Sequence, residues 1–365
     1  MAQTDFGSMS GATKTVWSRD LVKAARDMMF ITRFLGKSGT QNVIQRITEL
    51  TKTEKGTSCV IQLVADLIGD GQAGDDEREG MEEALKNYVQ TINIDQMSNG
   101  VKNTGKLSDQ ATIINWREEA KDALAYWLAN RLDQLAFLTL SGISYAYKND
   151  GGLRNDATFQ KYSFAADVTA PSSKRHLMFN GTTLVPSVTA NITSSYTPKY
   201  KMLVQAVAYA KTHYIKPIMA GGKEYFVLFV HPMTLAMLKQ DSDWLNAVVN
   251  AGVRGNDNPW FTGATVTVDG LVIHEHRLVY NTTGTTTKWG SGNLVEGSRS
   301  LLCGSQALAM ADLGAPEWDE KSFQYGNVHG INIDKMMGFL KPQFHSIYDG
   351  SVQDFGVLAI DHYIN

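Results

Sequence analysis

The side chains with the densest chemical potential are His274-Glu275-His276. On a strand, His274 and His276 share a face while Glu275 points away, so the two rings could hold one metal ion. A metal-dependent hydrolase built on His274 and His276 would need a further carboxylate, because a catalytic zinc takes three protein ligands and keeps one position open. No spacing marks that carboxylate, and the competing reading is a polar strand near a surface. His231, ahead of Pro232, reads as a strand-end hydrogen bonder rather than a base. Serine, histidine and aspartate all occur, but no Gly-x-Ser-x-Gly elbow does, and Gly304-Ser305-Gln306 lacks its geometry. Gly69 and Gly74 have phosphate-loop spacing, yet Asp75-Asp76 stand where Lys and Ser or Thr belong and would repel phosphate. Gly36-Lys37-Ser38 has Ile31 in place of the first glycine. The tract Asp75, Asp76, Glu77, Glu79, Glu82 and Glu83 does not follow the calcium-loop pattern. These residues make no catalytic constellation, and no cofactor or metal is expected.

The bulk properties narrow the class further. The chain has 365 residues, a formal net charge of −3 and two cysteines, Cys59 and Cys303. That length suggests two or three domains or one elaborated one. The charge gives no basic excess for non-specific nucleic-acid binding. Two distant cysteines exclude a disulfide framework and favour folding in a reducing compartment. Met1 to Lys14 does not read as a signal peptide, and the most apolar run, Tyr225 to Val230, is too short to cross a bilayer. A soluble protein made in a cytoplasm is expected.

The elements are legible from periodicity. From Trp116 the apolar positions Ala120, Ala123, Leu124, Trp127, Leu128, Leu132, Leu135 and Leu138 fall at steps of three and four. They predict one long amphipathic helix, capped by Asn115 and ended by Gly142, with Asp133 off the apolar stripe. Trp17 to Leu35 predicts a first helix carrying Arg19, Lys23 and Arg26 on a basic face. Ser58 to Leu67 and Lys86 to Gln96 predict a hairpin arm around the acidic tract, with no evident cover in the chain. That points to a neighbouring molecule. Asn149 to Pro198 reads as loops and irregular strands. An alternating α and β region follows: a helix over Lys201 to His213, a buried strand over Tyr225 to Val230, and a helix over Met233 to Gln240. Thr265 to Val268 and Leu271 to Val279 flank the turn dipeptide Asp269-Gly270, and Leu301 to Met310 and Phe355 to Ile360 predict further strands.

Several stretches, in order, carry a resemblance. They are Trp17-Ser18-Arg19-Asp20-Leu21, Gly69-Asp70-Gly71, Arg117 to Leu124, Tyr225 to Pro232, Asn258 to Gly263, Asp269 to His276, Gly304 to Ala307 and Asp354 to Val357. With them the chain resembles the major capsid proteins of tailed double-stranded DNA phages, in the group typified by the large virion-polymerase podoviruses. The resemblance implies an α+β, Hong Kong 97-type (Johnson) capsid fold. It implies an N-terminal arm and first helix over 1–55, an extended E-loop over 56–108, and a P-domain over 109–200 with its spine helix at 113–142. An A-domain over 201–335 and C-terminal strands over 336–365 complete it. Copies would assemble as hexamers and pentamers into an icosahedral head around DNA, in a virion whose subunits are made in the host cytoplasm. The implied partners are other copies, a portal, a separate scaffolding protein and a cementing protein. Candidate contacts between copies pair Asp75, Asp76 and Glu77 with Arg19, Lys23 and Arg26. The alternatives are the hydrolase above and a tail or decoration component.

Overall fold

The computed structural model describes residues 30–36, 41–48, 56–64, 67, 69–74, 79–80, 82–107, 116–250, 266–346 and 349–365. Its centre is the helix Trp116–Ser141, whose 26 residues span about 39 Å at the usual rise. The helix ends as expected at Gly142, where φ is +66°. Gly142 N donates to Thr139 O (3.1 Å) and Ile143 N to Leu138 O (3.0 Å), the paired bonds of a Schellman cap. The expected Asn115 cap lies outside the described residues.

The single apolar stripe holds only over the first turns, where Ala120, Leu124, Leu128 and Leu132 are buried while Glu118, Asp122 and Ala123 are exposed. From Leu135 to Ser141 every residue is buried. The reason is that the helix passes between two sheets, so its last turns have no solvent side. Asp133, expected off the stripe, is also buried, at 4 % exposure.

The first sheet runs Ile44–Ile47, Leu308–Asp312, Val328–Leu340, Glu317–Phe323, and Asp95–Lys102 pairs with the same long strand. The second has the order Leu184–Pro186, His176–Phe179, Val357–Tyr363, Gly297–Cys303, Lys223–Val230, Leu271–Glu275, Val266–Val268. Both sheets draw on segments far apart in sequence. His176–Phe179 lies beside Val357–Tyr363, and Leu308–Asp312 sits in the first sheet although Gly297–Cys303 sits in the second.

In the second sheet the strand Lys223–Val230 is apolar on both faces for a reason. Val227 and Phe229 face the core of the long helix. Phe226, Leu228 and Val230 face the layer formed by helices Tyr200–Thr212, Pro232–Gln240 and Ser242–Asn250. The expected turn at Asp269-Gly270 has φ of +48° and +77°, the signature of a type I′ hairpin. The continuous strand expected over Leu301 to Met310 is instead two strands. Gly304 lies so close to Lys216 that a Cβ would sit 2.3 Å from its carbonyl oxygen, and Gln306 has φ of +55°. The chain leaves one sheet at this bend and enters the other.

Candidate functional site

The histidine pair does not form a metal site. His276 lies between Phe30 and Phe137, stacked on both at centroid distances of 4.4 and 5.0 Å. His274 presents to Phe34 edge-on at 4.9 Å. His276 Nδ1 accepts from Leu278 N at 3.2 Å, which occupies one of its two nitrogens. Burial, with Arg277 second, lowers the His276 pKa to about 4, so the ring is a neutral packing piece. Among the described residues, no three His, Cys, Asp or Glu side chains converge as metal ligands. Ser300 Oγ and His362 Nε2 are 2.8 Å apart, but both residues are fully buried and no substrate can reach them. Ser187 Oγ and His176 Nε2 both bond Asp361 Oδ2, at 2.7 Å each, rather than one another. His231, as expected, works at a strand end: its Nδ1 accepts from Met233 N at the start of the next helix.

The ionic groups hold the frame. Asp133 accepts from Phe30 N (3.1 Å) and Ile31 N (3.2 Å), tying the start of the described chain to the long helix. Burial raises its pKa to about 6 against the lowering effect of those two donors. Arg299 bonds Asp361 through Nε (2.7 Å) and Nη2 (3.1 Å), and its Nη1 donates to Ser141 O at 2.8 Å. It thus satisfies a carbonyl at the helix C-terminus, where a cation is also favoured by the helix dipole. Burial opposes ionisation of Asp361, but Arg299 and His176 outweigh it and hold that carboxyl well below the usual range. Lys341 and Asp354 form a fully buried pair at 2.9 Å.

An exposed apolar face lies on the ribbon of strands Ser58–Val64 and Asn87–Asn93. Alternation along these strands gives two faces. Cys59 and Ile92 are buried against Ala309, Ala311 and Leu340, and Tyr88 stacks on His345 at 5.8 Å. The ribbon is therefore covered by its own chain on this side, contrary to the expectation that it has no cover. The opposite face carries Val60, Val64 and Val89 at 46, 59 and 55 % exposure. Its root is fixed: Asp167 accepts from Asn93 N and Nδ2, and Ser163 Oγ donates to Ile94 O. Gly338 admits the crossing chain, since a Cβ there would lie 2.1 Å from Asn93 O. In the connecting loop, Glu83 accepts from Gly69 N and Glu82 from Gly80 N. Asp75, Asp76, Glu77, Arg19, Lys23 and Arg26 all lie outside the described residues.

The sequence model of the family described as phage capsid protein matches residues 5–365. The chain belongs to the phage capsid protein family. A relative from Pseudomonas phage KPP25, named major capsid protein, is 48 % identical over 98 % of this chain and 96 % of that one. The capsid of Ralstonia phage GP4 superposes with a TM-score of 0.75 at 27 % identity, covering 92 % of this chain and 91 % of that one. The capsid of cyanophage Pam1 shares the fold, with a TM-score of 0.72 at 19 % identity and 92 % of both chains covered. The α+β architecture of this phage capsid protein is the Hong Kong 97-type fold. The protein is structural and not an enzyme, so the hydrolase reading of His274 and His276 is set aside. The sequence pattern places Asp133 off the apolar stripe without giving its anchoring role or the Arg299–Asp361 pair. A lone Asp within an apolar helical run was the available signal for the first, and nothing local marks the second.

Proposed function

We propose that copies of this chain assemble as hexamers and pentamers into the icosahedral head of a virion, around double-stranded DNA. The observation that carries this reading is the ribbon: one face is seated on its own sheet, while the other presents valines to solvent with a fixed root beneath them. A ribbon so built suits a flat contact with the next subunit. In domain terms, the ribbon and its loop within 56–108 act as the E-loop, 109–200 with the spine helix as the P-domain, 201–335 as the A-domain and 336–365 as the C-terminal strands, with both sheets drawing strands from more than one of these ranges. The near-neutral charge suits a shell that contains DNA without gripping it. A portal, a separate scaffolding protein and a cementing protein complete the proposed partner set, with synthesis in the host cytoplasm.

The tract Asp75, Asp76 and Glu77 is proposed to face Arg19, Lys23 and Arg26 of a neighbour. Surface pairs contribute up to about 1 kcal/mol each, but a shell repeats every one of them. Asp75→Lys with Asp76→Lys is expected to stop shell assembly while the subunit still folds; normal shells from that variant would remove the pairing. Electron microscopy of the chain expressed alone and with its genomic neighbours tests the function. Closed shells, or rings that close with a partner, are expected, and a uniform monomer or dimer under both conditions overturns the reading.

A further inference from the structure

Two arginines share one phenyl ring beside the long helix. Arg131, on the helix Trp116–Ser141, has its guanidinium 5.8 Å from the ring centroid of Phe159. Arg154, from the loop that follows the helix, stands 4.2 Å from the same centroid. Both donate to a single oxygen, Gln134 Oε1, Arg131 through Nη1 at 3.0 Å and Arg154 through Nη2 at 3.1 Å. Asn130 Oδ1 orients that amide by accepting from Gln134 Nε2 at 3.1 Å. Arg154 Nε donates to Tyr147 O at 3.0 Å, and Phe159 is buried, so both forks are held in place. What the pair lacks is a counter-charge. Among the described residues, no carboxylate forms an ion pair with either guanidinium; the shared acceptor is a neutral amide. The carboxylates on the same loops are turned elsewhere: Asp150 Oδ1 accepts from Gly152 N, and Asp156 Oδ1 from Thr158 N and Oγ1. Burial, then Arg131, lower the Arg154 pKa to about 10 against the opposite pull of Asp150, as expected of a cation short of compensation.

We infer that Arg131 and Arg154 together bind a phosphate group, carried by a DNA backbone or free in solution. Both side chains are partly exposed, and Arg131 Nε and Nη2 and Arg154 Nη1 have no acceptor among the described residues and are not buried. Stacking on a ring leaves the edge of a guanidinium free to donate, and its fork matches phosphate oxygens two at a time. A carboxylate has two oxygens and fills one fork, whereas a phosphate has oxygens for both. Lys148 and Lys161, exposed on the flanking loops, add positive charge around the site. The site belongs to the single subunit, so it goes beyond the shell reading without depending on it.

Binding to the purified full chain tests it, with a fluorescent DNA duplex read by anisotropy and inorganic phosphate read by titration calorimetry. Arg131→Gln with Arg154→Gln is expected to weaken binding at least tenfold and, for the duplex, to reduce the salt slope by about 1. Lys148→Gln with Lys161→Gln is expected to change binding less than threefold. Duplex binding that the arginine variant loses assigns the phosphate to DNA. Phosphate binding that it loses, with no duplex bound, assigns it to the free ion. No binding of either probe to the unaltered chain, or equal binding by the arginine variant, overturns the inference. So does an equal loss in the lysine variant, which gives the binding to general charge. Gln134→Glu decides the matter where the arginine variant does not fold. It sets a carboxylate of the chain's own between the forks, and is expected to raise the melting temperature while cutting binding at least tenfold; unchanged binding overturns the inference.

Discussion

Gly142 does two jobs that an alanine cannot do. Its φ of +66° is strained for any side chain, and a Cβ would meet Thr169 O at 2.5 Å and Pro171 Cδ at 2.7 Å. Gly142→Ala is therefore expected to destabilise the subunit by at least about 2 kcal/mol, read as a fall in the urea midpoint. Arg299→Met removes the guanidinium that compensates buried Asp361 and leaves it only His176 and Ser187 as partners, and is expected to cost about 3–5 kcal/mol. Two buried groups then give the subunit opposed responses to acid. His362, buried first of all by its surroundings, has its pKa lowered from 6.5 to about 4. The unfolded chain takes up that proton earlier, so this contribution is complete above about pH 6.5 and lost as pH falls toward 4, roughly 3 kcal/mol in all. Asp133 has the opposite sign: with its pKa raised from 3.8 to about 6, the fold binds the proton first and gains stability as pH falls through that window. His362→Gln is expected to flatten the acid loss and Asp133→Asn to steepen it, in denaturant titrations run between pH 4 and about 7.

At the level of elements, the ribbon separates folding from assembly. Val60, Val64 and Val89 lie on its open face, away from the buried Cys59 and Ile92. Replacing the three valines by serine is expected to leave the melting temperature of the subunit within a few degrees and abolish shells, as seen by electron microscopy. Gly338→Val acts on the seated side and is expected to lower subunit stability as well, because the crossing at Asn93 closes. The helices Tyr200–Thr212 and Pro232–Gln240 and the hairpin at Asp269-Gly270 were readable because local pattern alone decides them. The seat of the ribbon was not: Ala309, Ala311 and Leu340 stand more than two hundred residues away, and small residues in a strand carry no visible address. The same limit hid the break at Gly304, where a long apolar run conceals a change of sheet.

Across the whole molecule, sequence order and spatial order part company. The strand Val357–Tyr363 from the end of the chain lies between Gly297–Cys303 and His176–Phe179, inside the second sheet. Truncation before Val357 is thus expected to prevent folding rather than trim a tail, with loss of soluble protein as the readout. The family was legible because many short stretches keep their order, whereas the Arg299–Asp361–His176 cluster depends on side chains from distant segments. The strand Asp95–Lys102 follows the ribbon directly and pairs with Val328–Leu340 from Asp95↔Met337 to Lys102↔Gly330. A neighbour pulling the ribbon along its length would load that whole ladder in shear, where all its hydrogen bonds share the force, instead of peeling them one at a time. The ribbon is then a tie rod anchored in the body of the subunit, and tension in a lattice of such rods would run from strand to strand without passing through a flexible joint.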